Sequence, residues 1–239
     1  MRRSVQAPRV EGCVRVLSHL KSLFVSPERK PRRIVTGPFR GLVMNLSLET
    51  QSQLYLGLWE RETYAELRRL SRGIATAVDI GTAQGEYTLY FLVKTGAAKV
   101  YAFEPDASCL PLLEANLKLN GMGQSERLEL SAKFVGASDT EQQIRLDSLA
   151  ESLRTPVLIK VDVDGGEEQI LRGAERLNTL SGVRWLIETH SPELEAGCLR
   201  ILKAAGYQTR IIRNAWWRIF VPELRPGELN RWLSAWKNE

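Results

Sequence analysis

The chain contains few residues that build disulfide frameworks or metal centres. It has three cysteines, Cys13, Cys109 and Cys198, which are far apart and form no Cys-x-x-Cys pair, and two histidines, His19 and His190. This pattern disfavours a disulfide framework and a zinc site, and two histidines cannot supply a multi-histidine metal centre. Reduced thiols are typical of a cytoplasmic protein, which is the location we expect.

The sequence also lacks long apolar runs. No segment approaches the roughly 18 apolar residues that a membrane-spanning helix needs, and no clear signal-peptide core follows Met1-Arg2-Arg3. Hydrophobic residues make up 44% and charged residues 26% of the chain, near the average for globular proteins. We therefore expect a soluble protein with one main domain.

An excess of positive charge is confined to the N-terminal part. Residues 1–40 carry ten Lys or Arg and two Glu, a net charge of +8, whereas the other 199 residues have a net charge of −3. Apolar residues recur at helical spacing from Val10 to Phe24, which predicts an amphipathic helix within a basic arm, residues 1–32. Such an arm can bind nucleic acid or anionic lipid, but a solvated extension or a helix docked on protein is the favoured interpretation.

Strand and helix patterns alternate along the rest of the chain. Residues 33–72 predict an extension with a hairpin around Gly37-Pro38 in 33–47 and a helix over 49–71. The core domain, residues 73–239, has predicted strands at 76–80, 99–103, 128–135, 157–161, 183–187, 207–212 and 216–221, and helices at 86–94, 107–119, 167–177 and 193–205. This order predicts an α/β fold with a doubly wound, mostly parallel sheet that ends in an antiparallel pair.

The most informative motif follows the first core strand and reads Val-Asp-Ile-Gly-Thr-Ala-Gln-Gly-Glu-Tyr-Thr (78–88). Two glycines let the backbone turn close to a ligand, and the next helix presents free N–H groups. The spacing Asp-x-Gly-x-x-x-Gly differs from the dinucleotide pattern, and its acid would repel a pyrophosphate but accept hydrogen bonds from an ammonium group. The motif therefore favours a ligand with an amino-acid tail. The candidate contacts are Asp79, Gly81, Thr82, Ala83, Gln84, Gly85, Tyr87 and Thr88.

A second acid, Glu104, ends the next strand, 19 residues after Gly85, and Pro105 follows it. A carboxylate at this place can accept hydrogen bonds from both hydroxyls of a ribose. The alternative is a solvated acid at a strand end. Asp106 is better suited to cap the following helix.

Together these motifs resemble the FkbM-type methyltransferase family. The similarity covers about residues 57–213 and includes 78–88, 103–105, 113–121, 145–149, 159–167, 171–174 and 187–190. The chain departs from the family pattern at Asp164 and Gly166, where Glu and Ala are usual, and at Thr82 and Gln84. The resemblance implies a class I methyltransferase fold, Rossmann-like with a seven-stranded sheet, and S-adenosylmethionine as cofactor. It suggests O-methylation of a small molecule or sugar.

Methyl transfer needs an aligned acceptor and, for a hydroxyl acceptor, a base. The catalytic candidates end the fourth and fifth core strands: Lys160, Asp162, Glu188 and His190. Asp162 is also a candidate cofactor contact, or else a helix cap. The imidazole of His190 is a suitable base, with Glu188 orienting it or binding substrate. Asp162, Asp164 and Glu188 could hold a divalent cation, but we expect no essential metal.

The loop after the third core strand, 133–138, lines the adenine pocket in folds of this type. The resemblance therefore makes Ala137 and Ser138 candidate cofactor contacts, while Phe134 or Val135 either stacks on the base or packs in the core. Glu60 also matches a family position, and it either reaches the cofactor or stabilises its own helix.

Three functions are compatible with the sequence. A small-molecule O-methyltransferase is favoured. An RNA methyltransferase guided by the basic arm is less favoured, since the core is net acidic and has no Asn-Pro-Pro-Tyr-type motif. A non-catalytic scaffold with this fold is the third. The four C-terminal tryptophans, Trp216, Trp217, Trp232 and Trp236, could stack on bases or sugars, but the favoured interpretation is that they cover the sheet edge or form a subunit interface, as in a homo-oligomer.

Overall fold

The computed structural model describes residues 27–214 and 231–237. Within these ranges the strands are β1 (Lys30–Arg33), β2 (Val43–Leu46), β3 (Thr76–Ile80), β4 (Lys99–Phe103), β5 (Leu128–Ser131), β6 (Phe134–Val135), β7 (Gln143–Ile144), β8 (Val157–Val161), β9 (Val183–Thr189), β10 (Gln208–Ile212) and β11 (Arg231–Trp236). The α-helices are α1 (Leu48–Leu56), α2 (Tyr64–Leu70), α3 (Glu86–Lys94), α4 (Leu110–Leu119), α5 (Glu167–Arg172) and α6 (Pro192–Ala204). None of these helices has the length and apolar character needed to cross a membrane.

A seven-stranded sheet organises the molecule, with the strand order β10-β11-β9-β8-β3-β4-β5. Strands β5, β4, β3, β8 and β9 pair in parallel, and β11 is antiparallel to both of its neighbours. All five residues of β3 and all five of β8 are buried, as expected for central strands covered on both faces. The predicted mostly parallel, seven-stranded sheet with an antiparallel edge is confirmed.

The antiparallel edge is formed differently from the prediction. The sequence paired 207–212 with the adjacent run 216–221, which lies outside the described residues. The strand that pairs with β10 is β11, and it lies between β9 and β10, with Ile212 opposite Trp232 and Thr189 opposite Arg231. The four central residues of β11 are buried, so this apolar strand gains more from an inner position than from an outer one.

Side chains alternate along the strands and pack into two hydrophobic cores, one on each face of the sheet. The first core contains Ala77, Leu158 and Leu186 with Tyr87 and Phe91 of α3. The second contains Val78, Ile159 and Trp185 with residues of α5 and α6, including Ile170 and Leu202. Helices therefore cover both faces, which makes the sheet doubly wound.

The N-terminal extension packs into the first core. Strands β1 and β2 form the predicted antiparallel hairpin, although its strands are shorter and farther apart than the sequence indicated. Phe39, Met44 and Leu54 are buried in the same apolar cluster as Tyr87. The extension therefore covers the sheet face that carries α3 and α4.

Several predicted boundaries are corrected by the structure. The single helix predicted over 49–71 is two helices separated at Gly57, which has a φ of 69° and lies so close to Thr36 that a Cβ atom would stand 2.4 Å from its carbonyl oxygen. The helix predicted over 167–177 ends at Arg172, the helix predicted from residue 107 begins at Leu110, and the strand predicted over 128–135 divides into β5 and β6. The amphipathic helix predicted in the arm lies outside the described residues.

Candidate active site

A cavity of about 890 Å³ opens beyond the carboxyl ends of the parallel strands, where ligands of such sheets bind. Its volume lies within the range of small-molecule sites. The lining residues are Ile80, Gly81, Ala83, Phe103, Glu104, Pro105, Asp106, Cys109, Lys133, Phe134, Val135, Asp162, Val163, Asp164, Gly166 and His190. These come from the ends of β3, β4 and β8, from the residue after β9, and from the loop after β5.

The loop between β3 and α3 packs closely against the carboxyl ends of the neighbouring strands. Gly81 has a φ of 77°, and a Cβ atom there would stand 1.8 Å from the carbonyl oxygen of Asp162. Its N–H donates to the carbonyl oxygen of Phe103 at 3.0 Å. The glycine thus allows the loop to contact both neighbouring strand ends, which explains why this position excludes a side chain.

Only part of the predicted loop motif faces the cavity. Gly81 and Ala83 line it, whereas Thr82, Gln84, Gly85, Tyr87 and Thr88 do not. The Thr82 hydroxyl donates to the Asp79 carbonyl oxygen at 3.3 Å, and Tyr87 donates to a carboxylate oxygen of Glu60 at 2.6 Å. The side chains of these motif residues therefore stabilise the loop on the side that faces away from the cavity.

Glu104 lies in the cavity wall with both carboxylate oxygens fixed. Its Oε2 atom accepts a hydrogen bond from the Ala83 N–H at 2.6 Å, and its Oε1 atom accepts one from the Asp106 N–H at 2.9 Å. The residue is only 6% exposed, and Pro105 lines the cavity beside it. A carboxylate oriented by two backbone donors still has lone pairs that can accept further hydrogen bonds.

Asp79 does not reach the cavity. Its side chain is fully buried on the first-core face, because residue 79 alternates with Val78 and Ile80 along β3. Thr88 donates to its Oδ2 atom at 2.7 Å, and its Oδ1 atom lies 3.3 Å from the Lys160 ammonium. The prediction that Asp79 binds the ammonium group of a ligand is corrected, since its ammonium partner is within the protein.

Lys160 lies beneath the loop and does not line the cavity either. Its ammonium donates to the Gly81 carbonyl oxygen at 3.0 Å and lies 3.7 Å from Asp162. Burial opposes the charge, but the nearby carboxylates of Asp79 and Asp162 outweigh it and raise the pKa of Lys160. A lysine that stays protonated cannot act as a base, so its predicted catalytic role becomes one of supporting the loop.

His190 is held at the cavity wall by Glu167. The Nδ1 atom lies 2.6 Å from the Oε1 atom of Glu167, while the Nε2 atom lies 3.7 Å from Asp162 and 3.6 Å from Asp164. The hydrogen bond to Glu167 is the main cause that raises the pKa of His190. The sequence offered Glu188 to orient His190 or to bind substrate, and no spacing signal linked His190 to Glu167, which is 23 residues away.

Glu188 is 1% exposed near the end of β9 and does not line the cavity. One ligand atom each of Asp162, Glu188 and His190 lies within 4.8 Å of the others, a spacing that a divalent cation can bridge. The expectation that the reaction needs no metal stays a prediction.

The loop after β5 contributes Lys133, Phe134 and Val135 to the cavity, and Phe134 is 56% exposed. Ala137 and Ser138, which were the candidate contacts, do not line it. The Ser138 hydroxyl instead accepts a hydrogen bond from Gln143 at 2.9 Å, beside the short β6–β7 pair.

Two further acids lie behind the loop. Glu60 is 2% exposed and has a φ of 49°. Burial, followed by the charge of Asp162, raises its pKa to about 8. Burial also raises the pKa of Glu86 to about 7, although Lys160 opposes this change.

Comparison with solved structures identifies the fold. The structure of methyltransferase FkbM from Methylobacillus flagellatus KT has a TM-score of 0.55 at 18% sequence identity, over 68% of this chain and 44% of that one. Precorrin-6y C5,15-methyltransferase from Geobacter metallireducens GS-15 has a TM-score of 0.51 at 17% identity, over 73% of this chain and 86% of that one. An rRNA methylase from Streptococcus thermophilus has a TM-score of 0.50 at 16% identity, over 75% and 98% of the two chains. The fold is that of the class I methyltransferases, Rossmann-like with a seven-stranded sheet.

A family model matches part of the sequence. Residues 113–209 match the family model of the methyltransferase FkbM domain, a range that contains Asp162, Glu167 and His190. This match confirms the predicted resemblance to the FkbM methyltransferases. No curated protein sequence matches the chain. The chain spans 44% of the FkbM structure to which it is similar.

Proposed function

We propose that this chain is an S-adenosylmethionine-dependent methyltransferase that acts on a hydroxyl group of a small molecule or sugar. The observation that carries the proposal is the Glu104 carboxylate, which lies in the cavity wall between the N–H groups of Ala83 and Asp106. A carboxylate at the end of the second core strand, beside a glycine loop, is placed to bind a ribose diol. The FkbM domain over residues 113–209 supports the same class of reaction.

The residues of the cavity fit the cofactor in size and chemistry. The backbone from Gly81 to Ala83 approaches the site closely and would contact the methionine part, while Glu104 and Pro105 would hold the ribose. Phe134, an exposed ring in the cavity lining, would stack on the adenine. When bound, S-adenosylmethionine supplies a methyl group on a positively charged sulfur.

The acceptor would bind at the end of the cavity formed by Asp162, Asp164 and His190. These two carboxylates disfavour an anionic acceptor through like-charge repulsion, and they favour a neutral or cationic one. An RNA backbone fits this wall poorly, and most of the basic arm lies outside the described residues. The homo-oligomer and the cytoplasmic location stay predictions.

Calorimetry with purified protein tests the proposal. We expect micromolar binding of S-adenosylmethionine and no binding of NAD. Glu104→Ala should weaken S-adenosylmethionine at least about tenfold, since a charge-assisted hydrogen bond contributes about 1.5–3 kcal/mol. Glu114→Gln removes an exposed carboxylate from α4 and is the matched control. Well-folded protein that does not bind S-adenosylmethionine would contradict the proposal. Binding without turnover on any polyhydroxy or amino-sugar acceptor would favour a scaffold instead.

A salt series addresses the RNA alternative. Binding of a mixed-sequence RNA that weakens steeply with salt and disappears when residues 1–26 are deleted would favour an RNA methyltransferase. A small-molecule enzyme would show no such binding.

A further inference from the structure

The turn that lines the cavity at Ala83 has a backbone conformation that alanine rarely adopts. Ala83 has a φ of 48°, in the left-handed region that favours glycine, and the residue lines the cavity. Its N–H donates to the Oε2 atom of Glu104 at 2.6 Å. A strained conformation persists only where the surrounding contacts maintain it. The contacts of the next residue, Gln84, therefore bear on the shape of this turn.

Asn116 on α4 fixes the backbone of Gln84. Its side chain is fully buried, donates to the Gln84 carbonyl oxygen at 2.8 Å and accepts a hydrogen bond from the N–H of Asn45 in β2, also at 2.8 Å. A carbonyl oxygen can only accept and a backbone N–H can only donate, so these two partners define the orientation of the amide. One buried side chain thus joins the turn to a strand of the N-terminal extension.

Gln51 on α1 fixes the side chain of Gln84. The Nε2 atom of Gln51 donates to the Oε1 atom of Gln84. Its own Oε1 atom accepts hydrogen bonds from the Ser47 N–H at 3.1 Å and from the guanidinium of Arg29 at 2.8 Å. Because each atom of this amide has a partner, the group is held in one orientation. The extension therefore contacts Gln84 at a second point, separate from Asn116.

We propose that Asn116 and Gln51 are positioning residues for S-adenosylmethionine. They hold Gln84 so that the strained backbone of Ala83 keeps the shape that contacts the cofactor. This inference rests on the proposed function. Neither side chain lines the cavity, so both act through the turn. The N-terminal extension is thereby part of the cofactor site, and the affinity for the cofactor depends on how the extension packs.

Asn120 provides a matched control, because it follows Asn116 by four residues and so lies on the same side of the helix. Its amide accepts a hydrogen bond from the N–H of Val43 at 2.9 Å and donates to the Val43 carbonyl oxygen at 2.7 Å. Asn120 therefore binds the same strand of the extension, and these bonds do not involve the turn. A substitution here disturbs the packing of the extension while the bond to Gln84 stays in place.

Calorimetry of the full chain with S-adenosylmethionine compares the two positions. Asn116→Leu should raise the Kd about tenfold, because it leaves the Gln84 carbonyl oxygen without its donor. Asn120→Leu should lower the free energy of unfolding in urea but change the Kd less than about twofold. Equal changes in the Kd of the two variants would show that Asn116 acts only through the packing of the extension, and would overturn the proposal.

A double-mutant cycle covers the case in which Asn116→Leu does not fold, because Gln51 and Gln84 are both partly exposed. Gln51→Ala and Gln84→Ala should each raise the Kd of S-adenosylmethionine about threefold. The double variant should show about the same increase as either single variant, since each substitution removes the same bond. Increases that multiply in the double variant would overturn the role of Gln51.

Hydrogen exchange of the Ala83 amide, followed by NMR without cofactor, tests the positioning directly. Gln51→Ala and Asn116→Leu should each increase its exchange rate about threefold or more, because the turn opens more often, while the amide of Val78 in β3 keeps its rate. Unchanged exchange at Ala83 would overturn the proposal. A wild type that does not bind S-adenosylmethionine would remove the proposed function, whereas unchanged Kd values in variants of a binding wild type would remove this inference alone.

Discussion

The ammonium group of Lys160 lies 3.3 Å from the Oδ1 atom of Asp79, and neither side chain is appreciably exposed. The pair joins the two central strands β3 and β8, directly beneath the loop that approaches the cavity. Lys160 also donates to the Gly81 carbonyl oxygen, so one cation supports both the strand ends and the loop. Polar groups of the loop motif, such as the Asp79 carboxylate, therefore serve partly to stabilise the fold.

Replacing this cation should destabilise the fold. Lys160→Met removes the ammonium group beside the buried Asp79, and we expect the free energy of unfolding to fall by about 3–5 kcal/mol, as for other broken buried pairs. Lys99→Met breaks the exposed pair with Glu129 and should cost less than about 1 kcal/mol. Urea unfolding at pH 7 measures both. Equal decreases in the free energy of unfolding of the two variants would show that burial does not strengthen the Lys160–Asp79 pair.

The close contact at Gly81 predicts a strong effect of a single methyl group. Gly81→Ala places a Cβ atom against the Asp162 carbonyl oxygen, so the loop must move and S-adenosylmethionine binding should be lost. Gly121→Ala, at a φ of 71° with no atom within 4 Å of the added Cβ, suffers only the backbone cost of about 1 kcal/mol. Calorimetry and thermal unfolding distinguish the two effects. Normal cofactor binding by Gly81→Ala would disprove the role of this contact.

The exposed ring of Phe134 predicts a loss of affinity without a loss of stability. Phe134→Ala should raise the Kd of S-adenosylmethionine roughly tenfold, because a base–aromatic stack contributes about 1–3 kcal/mol. Leu180→Ala removes another exposed apolar side chain that does not line the cavity, and it should leave the Kd unchanged. If both variants bind S-adenosylmethionine with the same Kd, the adenine does not stack on Phe134.

The buried acid behind the loop predicts how stability depends on pH. Burial raises the pKa of Glu60 from its ordinary value near 4.5 to about 8, so between these values the folded protein holds a proton that the unfolded chain releases. Stability therefore falls as the pH rises through this window. Glu60→Gln should reduce that fall between pH 5 and 8 by about 1 kcal/mol or more, since one pKa unit corresponds to about 1.4 kcal/mol.

Urea unfolding at several pH values checks this prediction. The fall that remains in Glu60→Gln should reflect Glu86, whose pKa is raised in the same direction. The prediction is contradicted if the free energy of unfolding rises by the same amount from pH 5 to pH 8 in the wild type and in Glu60→Gln.

The unit formed by β3, its loop and α3 was predictable from the sequence. The apolar run Thr76–Ile80 and the apolar residues of Glu86–Lys94 have local patterns of the correct period, and the observed elements have the predicted bounds. The place of Glu104 at the cavity followed in the same way, because a residue at the end of a parallel strand lies at the ligand edge whatever the rest of the chain does.

The pairing of the sheet edge was not predictable in this way. The apolar runs 216–221 and 231–236 are both suitable strands, and adjacency in sequence favoured the first. The choice of β11 depends on burial between β9 and β10, which is a property of the assembled sheet.

The sequence by itself therefore determined the fold class, the family resemblance and the cavity edge, because these depend on local periodicity and on motifs of short span. Only the tertiary structure decided which acids face the ligand. Alternation along β3 turns Asp79 inward to Lys160, 81 residues away in the chain, and the second core, which α5 and β9 share, brings Glu167 to His190. Such contacts form between distant segments, so no spacing in the sequence records them.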